Sequence, residues 1–317
     1  MKYRQFGRTG WQVSEIGYGM WGMGGWTESD DTESLASLQS AVDLGCNFFD
    51  TAYIYGNGHS EGLLGQLIKA NPGKQIYSAT KIPPLNPVTP ESKLEECFPS
   101  SHIEEYIHKS LDNLGISTID LIQFHFWQDA WAEDGRWAKT MDDMKRRGLV
   151  HAVGISINRG QPWNGIRTVQ TGLLDSVQVV YNIFDQNPED ELFPACREHN
   201  VAVIARVPFD EGSLTGALTP ESRWPEGDWR NTYFTPGKLK DTLERVERLK
   251  TILPPGMTLS EMALRFILSN PDVSTVIPGM RKPRHVAANL ACSDAGALSS
   301  DTLSILRTHR YIRNPKK

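Results

Sequence analysis

The chain of 317 residues is 39% hydrophobic and 22% charged, and its formal net charge at neutral pH is −5. Those fractions are typical of a globular protein, and the acidic balance argues against a nucleic-acid-binding surface, which needs an excess of Lys and Arg. No apolar run approaches a membrane span, and the first residues lack the apolar core of a signal peptide, so no membrane association is predicted. The four cysteines lie far apart without a Cys-x-x-Cys pair, and we expect reduced thiols in a cytoplasmic protein.

In chain order, residues 2–13 are predicted to form a β-hairpin around the turn at 7–10. A first core strand starts at Ile16, and 32–44 has the pattern of an amphipathic helix closed by Gly45. The unit of strand, loop and helix then repeats. Further strands are predicted at 46–50, 75–80, 119–124, 150–155, 176–181, 201–207 and 273–277. Further helices are predicted near 60–70, 102–114, 135–147, 164–172, 189–199, 236–252, 259–269, 283–291 and 299–309.

This repeat predicts the fold class. Residues 201–205 are apolar throughout, which is typical of a parallel strand buried on both faces. Eight strands with helical crossovers and no break in composition are the count of a (β/α)8 barrel. We therefore predict an α/β protein with one domain over 1–317, a (β/α)8 TIM barrel preceded by an N-terminal β-hairpin.

Ionisable residues stand where three neighbouring strands end. Asp50 ends the second strand, Lys81 the third and His125 the fourth, while Tyr55 follows Asp50 on a glycine-rich turn. The carboxyl ends of barrel strands meet at one face, so these four side chains are expected to converge there. A structural ion pair would explain Asp50 and Lys81 by themselves. Four converging groups of different types favour an acid–base site instead.

The residue types indicate the chemistry. A tyrosine with its ordinary pKa of about 10 is a proton donor at neutral pH, and the Lys81 ammonium is expected to lower the pKa of Tyr55. Asp50 would keep Lys81 charged and oriented, and His125 would hydrogen-bond the substrate oxygen or relay a proton. A tyrosine acid without a nucleophile or metal suits protonation of an oxygen that becomes an alcohol. The hydride must then come from a cofactor.

The chain resembles the aldo-keto reductase superfamily from the hairpin to about Asn289. The motifs that carry the resemblance are Phe-Asp50-Thr-Ala-x-x-Tyr55-Gly-x-Gly-x-Ser60-Glu, Ala-Thr-Lys81, Asp120-Leu-Ile-Gln-Phe-His125, Gly154-Ile-Ser156, Gln178-x-x-Tyr181-Asn182 and Ile277-Pro-Gly-x-Arg281. The resemblance implies a barrel that binds NADP(H) without a Rossmann domain. It also implies hydride transfer between the nicotinamide and a small-molecule carbonyl substrate, with Tyr55 as the general acid.

Cofactor-binding residues are carried over from the family by position. Ser156 and Gln178 would hold the nicotinamide carboxamide, and Arg206, where many members have tyrosine, would stack on the ring. Residues expected to line the nicotinamide side are Gly19, Met20, Trp21 and Asp50. The segment 208–216 resembles the loop that covers the pyrophosphate, with Pro208, Gly212, Leu214 and Gly216. The adenosine site would lie in 279–289, with Gly279, Arg281, Arg284, His285 and Asn289.

Arg281 and Arg284 are expected to engage a 2′-phosphate, which favours NADP(H) over NAD(H).

Some positions depart from the family pattern. Ile157 stands where the best-known members have asparagine. Acidic residues are unexpected in the pyrophosphate loop, yet the loop contains Asp210 and Glu211, for which a nearby cation would be the partner.

Tryptophans in loops at the carboxyl face predict a partly aromatic substrate pocket. Those expected to face the substrate are Trp21, Trp26 and Trp127. No metal site is predicted, because the histidines lack the spacing of metal ligands. The oligomeric state is left open by the sequence.

Two other interpretations stay open. Residues 58–62 match the Gly-x-Ser-x-Gly nucleophile elbow, so a serine hydrolase using Ser60 is one alternative, although it leaves Lys81 and Tyr55 without a role. Ser60 is more simply explained as the N-cap of a helix. The other alternative is a barrel subunit of a larger assembly that senses the cofactor and turns over slowly.

Overall fold

The computed structural model describes residues 1–25 and 30–311. An antiparallel hairpin of β1 (Tyr3–Gln5) and β2 (Gln12–Ser14) precedes a parallel sheet of eight strands in sequence order. The sheet strands are β3 (Tyr18–Gly19), β4 (Phe48–Asp50), β5 (Tyr77–Ile82), β6 (Ile119–Phe124), β7 (Val150–Ser156), β8 (Ser176–Val180), β9 (Ala202–Arg206) and β10 (Thr275–Val276). Parallel bridges from Ile16 to Val276 and from Gly19 to Gly279 bring the sheet nearly to closure. The predicted (β/α)8 barrel and its N-terminal hairpin are confirmed.

Helices surround this sheet. They are α1 (Asp31–Asp43), α2 (His59–Ala70), α3 (Leu94–Cys97), α4 (Ser100–Leu114), α5 (Gly135–Arg146), α6 (Ile166–Gln170), α7 (Leu192–Glu198), α8 (Arg230–Tyr233), α9 (Pro236–Lys250), α10 (Leu259–Leu268), α11 (Pro283–Ala295) and α12 (Ser300–Arg307). The short helices α3 and α8 lie in the two long loops and were not predicted, because four residues carry too little periodicity to be recognised. Within the described part of the chain, no helix has the length and apolar character needed to cross a membrane.

Side chains from the hairpin fill one end of the barrel. Phe6 and Val13 form one buried cluster with Phe48, Ala79, Leu121, Ala152, Ala202, Ile204 and Ile277, most of which lie in the first half of their strands. Successive strand residues point alternately inward and outward, so one inward layer from each strand is enough to form this core. The hairpin therefore closes the amino end of the barrel, and the carboxyl end is left as the face for a site.

Arg4 fixes the hairpin to the last part of the barrel. Its guanidinium donates to the Glu15 carboxylate at 2.8 Å and to three backbone carbonyls, those of Leu268 at 2.5 Å, Asn270 at 3.0 Å and Val273 at 2.8 Å. These carbonyls lie at the end of α10 and in the turn before β10, where helix geometry leaves acceptors without partners. One side chain thus joins the first and last elements of the barrel.

The predicted helix cap at Ser60 is wrong. The N-cap of α2 is Gly58, whose φ of 94° places it in the left-handed region, and no side chain caps this end. Ser60 is fully buried inside the first turn, where its hydroxyl accepts from the Thr51 hydroxyl at 2.8 Å and donates to the Met20 carbonyl at 3.3 Å. A hydroxyl used in this way is a structural link between loops, which also removes the basis for a hydrolase with Ser60 as nucleophile.

Two glycines in α2 provide a matched test of how this helix packs. A Cβ at Gly65 would lie 2.5 Å from the Leu114 carbonyl oxygen of α4, whereas a Cβ at Gly62 would meet nothing within 4 Å. We expect Gly65→Ala to lower the free energy of unfolding by about 1–3 kcal/mol, because backbone cannot yield as a side chain can. Gly62→Ala should raise it by about 0.5–1 kcal/mol through helix propensity.

Urea unfolding of both variants and of the parent protein measures the difference. Equal stability of the two alanine variants would contradict the close approach of α2 and α4 at Gly65.

Candidate active site

A buried ion pair lies at the carboxyl ends of two neighbouring strands. Lys81 of β5 donates from Nζ to Asp50 Oδ2 of β4 at 2.6 Å and to the Thr51 carbonyl at 2.7 Å. The Lys81 and Asp50 side chains are only 1% and 4% exposed. Two charges this deeply buried are stable only when both are paired and hydrogen-bonded, as they are here.

The other carboxylate oxygen of Asp50 accepts two amides from across the barrel. Gln178 of β8 donates to Asp50 Oδ1 at 2.7 Å, and Gln123 of β6 donates to the same atom at 3.1 Å. The role of Gln123 was missed in the sequence, where the signal was a polar residue between the apolar Ile122 and Phe124 near the end of the strand. Asp50 therefore has a partner on each oxygen, and its position is fixed by three strands besides its own.

Tyr55 lies on the turn after β4 and is 9% exposed. Its ring centroid is 5.2 Å from Lys81 Nζ and 5.9 Å from the ring centroid of His125. Burial raises the pKa of Tyr55, while the Lys81 charge lowers it, the Asp50 charge raises it and the Arg206 charge lowers it. The net shift is upward, so the predicted lowering of the Tyr55 pKa is wrong: Lys81 acts in the expected direction, but burial outweighs it.

His125 follows β6 and is held neutral. Burial lowers its pKa well below the ordinary value of 6.5, and the positive charges of Lys81 and Arg206 lower it further. Its Nδ1 is buried and has no hydrogen-bond partner among the described residues. A neutral imidazole has one donor and one acceptor nitrogen, so His125 can form hydrogen bonds here without carrying charge.

Residues predicted to hold the nicotinamide lie at the same face. Ser156 ends β7 directly opposite Gln178 of β8, and both are buried. Arg206 ends β9 and donates from Nη2 to the Ile157 carbonyl at 3.0 Å. Trp21, which follows β3, is 43% exposed and lies edge-to-face with Trp229, with the ring centroids 6.4 Å apart.

The structure corrects one predicted substrate contact. Trp127 is fully buried, donates from Nε1 to the Thr168 hydroxyl at 2.8 Å and packs against Trp131 and Trp137. It therefore lies under the loops rather than in the pocket. The exposed aromatic side chain after β6 is Phe126, which is stacked on His125 with ring centroids 5.0 Å apart. The predicted contact at Trp26 lies outside the described residues.

The two unexpected acids after β9 both have partners. Asp210 accepts from the Tyr233 hydroxyl at 2.9 Å and from the Ser213 hydroxyl at 2.7 Å. Glu211 forms an ion pair with Arg159, which comes from the loop after β7 and was missed in the sequence. Pro208, Gly212, Leu214 and Gly216 lie in the same segment. The backbone at Asp210 and Glu211 is left-handed, with φ of 45° and 56°, so the surroundings stabilise a costly conformation.

The residues predicted for the adenosine end lie around the start of α11. Gly279 is bridged to Gly19 of β3, and the residues just before and within the first turn of the helix are Arg281, Lys282, Arg284 and His285. The Arg284 guanidinium donates to His285 Nε2 at 3.3 Å, and Asn289 is buried further along the helix. A helix N-terminus with three neighbouring cations suits an anion.

Among residues 1–25 and 30–311, no cluster of three metal-ligating side chains occurs.

Comparison with known proteins agrees with this geometry. Residues 15–310 match the Aldo/keto reductase family. The chain is 29% identical over 299 residues to the aldo-keto reductase YhdN of Bacillus subtilis, covering 91% of this chain and 87% of that protein. It is 28% identical over 319 residues to the NADH-specific methylglyoxal reductase of Escherichia coli, covering 95% and 96%.

The fold comparison extends over the whole chain. The holo form of the aldo-keto reductase AKR11C1 from Bacillus halodurans superposes with a TM-score of 0.80 at 25% identity, covering 100% of this chain and 99% of that one. Together with the sequence match over residues 15–310, this likeness identifies the chain as a member of the aldo/keto reductase family.

Proposed function

We propose that this protein is an NADP(H)-dependent reductase of aldehydes or ketones in which Tyr55 is the general acid. The observation that carries the proposal is the position of Tyr55 beside the buried Lys81–Asp50 ion pair and close to the neutral imidazole of His125. Reduction of a carbonyl needs a proton for its oxygen and a hydride for its carbon, and this arrangement supplies the proton.

Tyr55 would give its phenolic proton to the carbonyl oxygen as that oxygen gains negative charge. Burial keeps the phenol protonated at rest, because it raises the Tyr55 pKa. The fixed Lys81 ammonium then stabilises the phenolate that forms when the proton leaves. Since Asp50 holds Lys81 in place before the reaction, this stabilisation needs no reorganisation. Asp50 and Lys81 are thus proposed to act through Tyr55.

His125 would bind the carbonyl oxygen without competing for the role of acid. A charged imidazolium close to Tyr55 would be the stronger proton donor of the two, because its pKa is far lower. Burial and the charges of Lys81 and Arg206 prevent that charge from forming. His125 is therefore proposed to donate a hydrogen bond that orients the substrate oxygen toward Tyr55.

The residues at the carboxyl face fit a nicotinamide cofactor. A bound reduced nicotinamide would supply the hydride. We propose that its carboxamide is held by Ser156 and Gln178, its ring is stacked by Arg206 and its nicotinamide-side pocket is lined by Gly19, Met20 and Trp21. The segment 208–216 would cover the pyrophosphate. The support is that Ser156, Gln178 and Arg206 lie at the carboxyl ends of their strands and Gly19 is bridged to Gly279 at the same face. Trp21 is exposed there, and Met20, whose side chain is fully buried, donates from its backbone N–H to the Asp50 carbonyl at 2.9 Å.

The preference for NADP(H) over NAD(H) is proposed from the start of α11. Arg281, Lys282 and Arg284 cluster there beside a helix N-terminus, and a 2′-phosphate is the group that such a cluster recognises. One relative is named as NADH-specific, so the proposed preference rests on these side chains rather than on membership of the family.

All four cysteines are buried and unpaired, which suits a reducing compartment, and we propose a cytoplasmic location.

Replacing Tyr55 by Phe tests the proposed acid. Because general acid catalysis contributes about 10²–10⁴-fold, kcat for carbonyl reduction should fall by that factor while NADPH binding, followed by tryptophan quenching, changes little. Tyr53→Phe is the matched control on the same turn, where Tyr53 packs on Tyr106 instead, and should retain activity. Retained turnover in the Tyr55 variant would exclude its assigned role. Cofactor binding without turnover in the parent protein would favour a sensing subunit.

The protonation state of His125 can be measured directly. Its imidazole NMR signals should remain those of the neutral form as the pH falls through 6.5, whereas in urea-unfolded protein they should titrate near that value. The unfolded state then binds more protons below pH 6.5, so His125 should lower the free energy of unfolding as the pH falls. His125→Gln assigns the signals. Titration near pH 6.5 in the folded protein would show that the imidazole carries charge.

Arg281→Ala tests the choice of cofactor. A charge-assisted bond to the 2′-phosphate is worth about 1.5–3 kcal/mol, so the Kd for NADPH should rise by about tenfold or more. NADH lacks this phosphate and serves as the internal control, with little change expected in its Kd. Equal losses for both cofactors would remove the 2′-phosphate from Arg281.

A further inference from the structure

Arg206 differs from Lys81 and Arg159, the other cations near Asp50 and Glu211, because it forms no ion pair with any described residue. Its guanidinium donates from Nη2 to the Ile157 carbonyl, a neutral acceptor, at 3.0 Å. Its Nε is buried and has no hydrogen-bond partner among the described residues. The side chain is half-buried, and a cation in such a position whose acceptor is neutral lacks the carboxylate partner that Lys81 and Arg159 have.

The carboxylates that act on Arg206 are already used by other cations. Asp50 is bonded to Lys81 at 2.6 Å, and Glu211 is paired with Arg159. Burial and the Arg159 charge lower the pKa of Arg206 to about 10, against the opposing effects of Tyr55, Glu211 and Asp50. Arg206 therefore stays charged at neutral pH, in surroundings that disfavour positive charge.

Arg206 also acts on the reacting groups. Its charge lowers the pKa of Tyr55 and of His125, and the charge of Asp50 acts on it in turn. A hydride donor that reacts with a carbonyl held by Tyr55 must therefore lie within the electrostatic field of Arg206. In a site of low dielectric the interaction with this charge is stronger at a given distance than it would be in water.

We propose that Arg206 makes the site bind the reduced cofactor in preference to the oxidised one. The inference rests on the proposed function. The reduced nicotinamide ring is neutral and the oxidised ring is positively charged, so an unpaired guanidinium beside it repels only the oxidised form. The site then holds the form that donates hydride and releases the form that has given it up, which favours the direction of carbonyl reduction.

The same charge has restricted geometry as an anchor for a substrate carboxylate. A side-on two-point contact uses the N–H groups of Nε and one Nη. Nε is shut off from solvent and one N–H of Nη2 is used by the Ile157 carbonyl, so only an end-on contact through Nη1 and Nη2 is left. A preference set by charge needs no such contact, which is why we favour the cofactor as the group that Arg206 discriminates.

The experiment compares the Kd values of NADPH and NADP⁺ for the purified protein by calorimetry. The parent protein should bind NADPH at least about tenfold more tightly, and Arg206→Met should reduce that ratio by about tenfold, a shift of about 30 mV in the potential of the bound two-electron couple. Arg206→Lys keeps the charge and should keep most of the ratio. Arg206→Gln repeats the test if the methionine variant does not fold.

The matched control removes a paired charge from the same face. The double variant Arg159→Gln/Glu211→Gln deletes one cation and one anion together, so it should change both Kd values by similar factors and leave their ratio intact. Three results would overturn the proposal. They are equal Kd values of NADPH and NADP⁺ for the parent protein, an unchanged ratio of these Kd values in Arg206→Met, or an effect of Arg206→Met confined to the turnover of substrates that carry a carboxylate. If the parent protein binds neither NADPH nor NADP⁺, the proposed function itself fails. If it reduces carbonyls with NADPH but binds NADPH and NADP⁺ equally tightly, only this inference fails.

Discussion

The buried contact between Lys81 and Asp50 is the interaction on which the rest of the site depends. Removing either partner would leave an uncompensated charge in a buried position, which is strongly destabilising. Both side chains also form further hydrogen bonds. Lys81 donates to the Thr51 carbonyl, and Asp50 accepts from Gln123 and Gln178. The charge that acts on Tyr55 and His125 therefore exists because four strands deliver polar groups to one point.

The other charges at this face divide into two kinds. Arg159 and Glu211 form an ion pair that joins the loops after β7 and β9 and so helps to fix the position of residues 208–216. Arg206 forms no ion pair within the described part of the chain, and its charge acts on Tyr55 and His125. The fold provides the positions for both, and the choice of residue at each position decides what the site prefers.

The sequence was sufficient for the barrel and for the convergence of four ionisable residues, because long apolar strands with helical crossovers admit few arrangements and place strand ends together. The sequence was not sufficient to predict which of several consecutive side chains is exposed and which is buried. His125, Phe126 and Trp127 are consecutive, and only the local backbone shows that the second is exposed and the third buried.

The sequence also did not show which distant residues form ion pairs or how deeply a side chain is buried. Arg159 and Glu211 lie on different loops, and nothing in their local sequence connects them. The pKa of Tyr55 is a balance between burial and charge, and only the structure shows which is larger. Whether the whole chain forms one domain stays a prediction.

The seam of the barrel has a consequence for how the chain is made. The strands that meet there, β3 and β10, have two residues each, and bridges at Ile16–Val276 and Gly19–Gly279 join positions from opposite ends of the sequence. During synthesis the N-terminal part emerges first. One edge of β3 therefore stays unpaired until nearly all of the chain has left the ribosome. The slowest contacts to form are thus those that complete the proposed cofactor site, and a nascent chain has no such site until its last strand arrives.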